Sequence, residues 1–255
     1  MNRWLKHILV IISFMMLWQL VFWWGIYPTA SFPSVFHIFR ALWMEFTQGD
    51  LSRQLLITLW TITKGVGVGA LLAVILAFVW RKKGIVGDMI ATMVSVAHPL
   101  PGIALLPLLI LWFGIGERVI VVMIVHAVVW PMLINIKAGL DNMPVIYHQI
   151  ADVFSLSSKT RIFEIALPSS LPFMLSGLKT GWARAWRAMI AGEMVFGVIG
   201  QSGGLGTYLF QKRVFMDTPG LLAGLLVIIA MGIFVEEFFF SFLENSTIKR
   251  WGMGQ

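Results

Sequence analysis

Apolar and polar positions alternate along this chain in long blocks. A helix needs about 20 apolar residues to cross a bilayer core of about 30 Å. Runs of that order fall at 8–27, 57–80, 88–113, 118–137, 177–199 and 219–243. They predict an all-α polytopic membrane protein, a single transmembrane domain over 1–255 with about six transmembrane helices and both ends on one side. The longest polar interruption in the second half, residues 141–178, has a different pattern. Asn142 and Pro144 mark a helix start, and Ile146, Ile150, Val153 and Phe154 recur at helical spacing. Leu156-Ser157-Ser158 breaks that pattern, with Ser157 or Ser158 able to cap a second short helix. Leu167-Pro168 and Leu171-Pro172 are expected to end it before the next apolar run. A polar pair of helices between membrane spans needs something outside the membrane to dock against.

Residues 28–56 form a second polar connection, in which Phe36, Phe39, Leu42, Trp43 and Phe46 recur three or four apart. That spacing fits an amphipathic helix at the membrane surface and equally a lid packed on neighbouring spans. Gly65, Gly67 and Gly69 offer small surfaces for close helix contact in the second span. Pro99, Pro101 and Pro107 in the third predict a bend, either a plain kink or a break beside a cavity.

Composition agrees with a membrane protein: 58% of residues are hydrophobic, 12% are charged and the mean hydropathy is +0.85. The net charge of +7 does not read as a nucleic-acid surface, because the basic residues sit between apolar runs. One set of loops carries Arg3, Lys6, Arg81, Lys82, Lys83, Lys137, Lys159, Arg161, Lys179, Lys249 and Arg250. The other carries Arg40, Arg53, Arg118, Lys212 and Arg213. The positive-inside rule then places both termini and the 141–178 loop in the cytoplasm. The first apolar run is longer than a signal-peptide core of roughly 7–15 residues and is expected to stay as a span. There is no cysteine, hence no disulfide or thiolate site. No Gly-Lys pair is present for a Walker A phosphate loop, and no histidine spacing matches a zinc site. His98 and His126 read as packed, hydrogen-bonded side chains, and Asp152 and Glu164 as solvated or partner-facing ones.

Arg184 and Arg187 share one face of the fifth span, and Arg187 lies roughly 14 Å past Leu178, near mid-membrane. Glu193 is on the opposite face of that helix and cannot neutralise them within it. These three are candidates for a translocation pathway. Snorkelling of the arginines toward the cytoplasm, or pairing with Glu236 or Glu237, is the alternative.

Several stretches resemble one family. Ala151, Ile165-Ala-Leu-Pro168, Pro172 and Gly177-Leu178 resemble the cytoplasmic "EAA" loop of ABC-importer permeases. The family's Glu-Ala-Ala start reads Gln149-Ile150-Ala151 here, and its glycine falls on Ser155. Thr58, Leu59 and Gly65 match a Ser-Leu-x-Arg-x-x-x-Gly pattern with Thr61 in place of the arginine. Pro101 to Glu117, Trp130 to Asn135, Gly192-Glu193-Met194, the glycines Gly203, Gly204 and Gly206 (read as a tight turn) and Arg250-Trp251 extend the likeness across roughly 51–251. The resemblance is to a type I importer permease of the branch that carries nitrate, sulfonates or taurine. It implies a bacterial inner-membrane subunit, present as a homodimer in lipid, served by an outer solute-binding protein. A separate cytoplasmic ATPase would bind the ATP, so this chain itself needs no cofactor. The resemblance also implies that Gln149, Ile150, Ala151, Asp152, Val153, Phe154 and Ser155 couple to that ATPase through the loop 141–176. A stand-alone secondary transporter or channel is the alternative, although no clear inverted repeat is visible. A membrane-embedded enzyme lacks any catalytic constellation at usable spacing.

Overall fold

A computed structural model describes residues 3–81, 84–197 and 203–249. Lys82, Lys83, Arg250, Trp251 and the last two residues of the expected span 177–199 lie outside the described residues. The described residues are helical and connecting segments, with no strand among them. Two compact units form, one from Met1–Thr58 and Glu193–Ala230, the other from Leu59–Gly192 and Met231–Gln255.

In the first unit, α1 (Arg3–Trp23) leads into α2 (Val35–Thr47). Trp18 stacks on Phe32 at 4.1 Å and donates through Nε1 to the Pro33 carbonyl at 2.9 Å. Ser34 caps α2 by accepting from the His37 amide. Phe36, Phe39, Trp43 and Phe46 are exposed on α2, and Ile38 is its buried residue. Two further helices, α10 (Leu205–Val214) and the first part of α11 (Thr218–Ile233), complete this unit. Lys212 joins them to α2 by pairing with both Glu45 and Asp217.

The second unit is built around α6 (Glu117–Asp141), a helix apolar on almost every side and buried accordingly. Small residues bring its neighbours close. On α3 (Leu51–Trp80), Gly65 and Gly69 meet Ile124 and Val128 of α6. On α9 (Leu167–Gly197), Gly177 meets Met132 and Asn135, and Gly181 meets Val128. Val128 is therefore gripped by a glycine from each side. Gly67 faces open space and takes no part in this contact.

The third predicted span is not one helix. α4 (Ile85–Ala97) ends before Pro99, Pro101 is extended, and a 3-10 turn at Gly102–Leu105 leads into α5 (Leu106–Phe113). The two arms are bent by 95°. Pro99 and Pro101 have no amide to continue the ladder of α4, whereas Pro107 sits in the first turn of α5, where no partner is needed. Gly114 and Gly116, both at positive φ, turn the chain into α6. Leu51–Trp80, Glu117–Asp141 and Thr218–Thr247 are long and apolar enough to cross a membrane, and the bent pair would be a fourth span. Leu9–Trp23 is a shorter apolar helix. The expected fifth span lies on α9, whose Lys179, Arg184, Arg187 and Glu193 lower its hydropathy.

The expectation that Leu167-Pro168 and Leu171-Pro172 end a helix is corrected. After α7 (Val145–Val153) and the short α8 (Ser158–Thr160), a π-helical turn at Arg161–Ala166 runs straight into α9, which passes through Pro172. A widened turn makes room ahead of a proline ring that would clash with the carbonyl four residues back. Ser169 and Ser170 bond back to the carbonyls of Ala166 and Leu167, a contact that bends helices without stopping them.

Candidate functional site

The break between α4 and α5 opens a cavity of about 370 Å³ in the second unit. His98 to Ile103 form one wall, His126, Ala127 and Trp130 of α6 another, and Arg184, Arg187, Ala188 and Ala191 of α9 the third. Non-helical backbone at membrane depth is tolerated where it lines such a space. Both sequence-predicted arginines therefore reach one cavity, and among the described residues no carboxylate lines it. The Arg184 guanidinium lies 3.4 Å from His98 Nδ1 and from the His98 carbonyl. Arg187 Nε donates to the Ala183 carbonyl of its own helix at 3.0 Å. Among the described residues neither arginine is ion-paired; Glu236 is met by Lys179, at 4.0 Å.

Nε1 of Trp130 is buried with no hydrogen-bond partner among the described residues, and the buried imidazole of His126 lies against the Ala97 backbone. The two rings stand edge to face, with centroids 6.0 Å apart. These nitrogens expose almost no surface, so the rings meet the cavity through their carbon edges. His98 and His126 are packed side chains, as their apolar surroundings in the sequence predict, His98 beside Arg184 and His126 against the Ala97 backbone; what the sequence does not mark is that they and Trp130 border one cavity. The available signal was His98-Pro99 at the break, together with His126 and Trp130 one helical turn apart.

Glu193 has different surroundings. It is 1% exposed and belongs to the first unit. The Thr58 hydroxyl lies 3.0 and 3.1 Å from its two carboxylate oxygens, and the Gly206 amide donates to Oε2 at 2.9 Å. The Leu205 amide donates in turn to Thr58 Oγ1 at 2.8 Å. Glu193 and Thr58 thus cap the first amides of α10. A Cβ on Gly204 would strike Thr58 and Glu193, which is the close approach that its glycine permits.

The loop residues Gln149 to Ser155 form the last turns and the exit of α7. Leu156 N donates to the Ala151 carbonyl at 2.9 Å and Ser155 N to the Asp152 carbonyl at 3.0 Å, with Ser155 left-handed at φ 47°. This is a Schellman close. Arg161 seals it, donating to the Ala151 and Leu156 carbonyls at 3.0 Å each and to Asp152 Oδ1 at 2.6 Å. Ser157 caps α8 by accepting from the Thr160 amide. Ala151 is 3% exposed, buried by its own chain, whereas Val153 and Phe154 are 79% and 71% exposed.

This architecture has relatives. Over 232 residues the chain is 29% identical to a probable ABC transporter permease protein of Haemophilus influenzae, covering 91% of this chain and 92% of that one. It is 24% identical over 250 residues to a putative aliphatic sulfonates transport permease protein of Bacillus subtilis, covering 96% and 87%. It is also 24% identical to a nitrate import permease protein of Synechococcus elongatus, covering 81% and 76%. Its fold is similar to that in a crystal structure of an amino acid ABC transporter with histidines, at a TM-score of 0.59 and 17% identity, over 82% of this chain and 97% of that one. The model of the binding-protein-dependent transport system inner membrane component family matches residues 65–247, well over half the sequence, and the chain belongs to that family.

Proposed function

We propose that this permease subunit carries a small oxyanion (a sulfonate, taurine or nitrate) into the cytoplasm, driven by a separate ATPase. The observation that carries the reading is the cavity where Arg184 and Arg187 meet with no carboxylate on its walls among the described residues. A solute leaving water needs its charge offset, and two guanidiniums at a broken helix do that for an anion. Relatives named for aliphatic sulfonates and for nitrate support an anionic cargo. In this reading two copies in the inner membrane flank the pathway, a binding protein delivers the solute from outside, and both termini and the α7–α8 loop face the cytoplasm. The exposed apolar residues of α7 then seat in a groove of the ATPase. Glu193 serves as the cap of α10.

The test is Arg187→Gln in the assembled complex, with folded yield and uptake of nitrate and ethanesulfonate measured side by side. Uptake is expected to fall about tenfold or more while yield holds, since the change removes a charge that meets the solute and no ion pair of the fold. Loss of yield in proportion to uptake would assign the arginine to folding instead.

A further inference from the structure

Resting on that reading of the cavity, we infer that His98 is a positioning residue: it latches Arg184 to the cut end of α4 and leaves Arg187 to meet the solute. The latch follows from the break. A continuing helix would answer the His98 carbonyl with the Gly102 amide, but Pro99 and Pro101 bring no amide to the ladder and the chain turns by 95°. Among the described residues no backbone amide donates to that carbonyl. Arg184 Nη1 does so instead, at 3.4 Å, and stands at the same distance from Nδ1 of the same residue. One guanidinium thus ties α9 to the end of α4 through a main-chain and a side-chain atom. From α6 the His126 imidazole lies against the Ala97 backbone. The last two residues before Pro99 are therefore met from both of the other walls.

Arg187 is placed differently. It is exposed, whereas Arg184 is half-buried. Its Nε is spent on the Ala183 carbonyl of its own helix, and its terminal nitrogens have no partner among the described residues. Both charges act on an anion in the cavity, but only Arg187 keeps its fork free for a solute's oxygens. The latch also depends on a proton. A guanidinium only donates, so Nδ1 accepts from it only while unprotonated. A protonated His98 would be a further cation beside Arg184, with Arg187 on the same helix, His126 on α6, and no carboxylate among the described residues that line the space. Acidification therefore loosens the latch.

The experiment uses the assembled complex in proteoliposomes, with nitrate and ethanesulfonate as solutes. Uptake and thermal midpoint are measured at about pH 7.5 and about pH 5.5, either side of an ordinary imidazole's titration. Wild type should lose about tenfold in uptake on acidification beyond any loss in His98→Asn, the effect of one hydrogen bond to a charged group. His98→Asn offers an acceptor oxygen near the place of Nδ1 and does not titrate, so it should match wild type at the higher pH and keep that rate at the lower. His98→Leu removes the acceptor and should be slow at both, with folded yield unchanged; His98→Asn decides the matter if that variant folds poorly. Equal acid losses in wild type and His98→Asn would overturn the latch, as would wild-type uptake in His98→Leu. Either result leaves the anion pathway standing, provided Arg187→Gln still cuts uptake. If wild type takes up neither oxyanion, the anion reading falls and the midpoint alone judges the latch: wild type should lose stability on acidification, and an equal loss in His98→Asn would overturn it.

Discussion

Ser155 sits at a backbone position that suits glycine. Its φ of 47° lies in the left-handed region, which costs a residue with a Cβ about 1–2 kcal/mol. Two backbone bonds and the Arg161 side chain hold it there. Ser155→Gly should therefore keep the loop's geometry and raise the thermal midpoint of the complex slightly, by up to about 1 kcal/mol of stability. Ser155→Val should lower it and reduce coupled transport, because a β-branched side chain tolerates this conformation worst. Equal midpoints for the two variants would show that the turn is not under strain. The helix start at Pro144 and the cap at Ser157 are legible in the sequence, since each depends on the local chemistry of one residue. Arg161 is not legible in the same way: in the sequence it is one more basic loop residue, and only the fold carries its guanidinium back to the Ala151 carbonyl. The same holds for Glu193, whose partners Thr58 and Gly206 lie 135 and 13 residues away.

Among the helices, the packing of α3 and α9 on α6 depends on glycines that differ sharply in their surroundings. A Cβ at Gly177 would lie 2.8 Å from the Met132 Cα, a backbone atom that cannot step aside. Gly177→Ala should cost about 1–3 kcal/mol by overpacking, read as a lower melting temperature and a smaller folded yield in detergent. Gly67→Ala meets nothing within 4 Å and should be neutral or gain up to about 1 kcal/mol from helix propensity. If both variants behave alike, the close contact of α9 with α6 is not what holds this unit together. Glycine spacing alone marked Gly65, Gly67 and Gly69 as equivalent; the phase of α3 against α6, which separates them, is a tertiary fact. Prolines show the same divide. Pro99 and Pro101 announce a bend, but its 95° angle and the cavity behind it come from packing. Pro168 and Pro172 read as stops because a regular helix is assumed before them, and the π turn at Arg161–Ala166 removes that assumption without any residue signature of its own.

At the scale of the whole molecule, membrane character and family are written in block hydropathy and in motif order, which do not depend on side-chain detail. The proposed coupling to an ATPase does depend on it, and here the structure redirects the choice of residue to test. Ala151 matches the family motif, yet its side chain is buried within the loop and its carbonyl accepts from Leu156 and Arg161. Ala151→Asp would put a charge inside the loop and should lower the folded yield of the permease itself. It therefore tests the loop's own packing before it tests any partner. Val153 is the better probe, because it is 79% exposed and touches little of its own chain. An aspartate there is solvated in the isolated subunit and desolvated only when α7 enters an apolar groove. Val153→Asp should leave yield and thermal midpoint of the permease unchanged, weaken co-purification of the ATPase subunit, and uncouple uptake from ATP hydrolysis in whatever complex remains. Normal uptake with full ATPase recovery in Val153→Asp would remove α7 from the docking surface, since no groove that seats this face could accept the buried charge without loss.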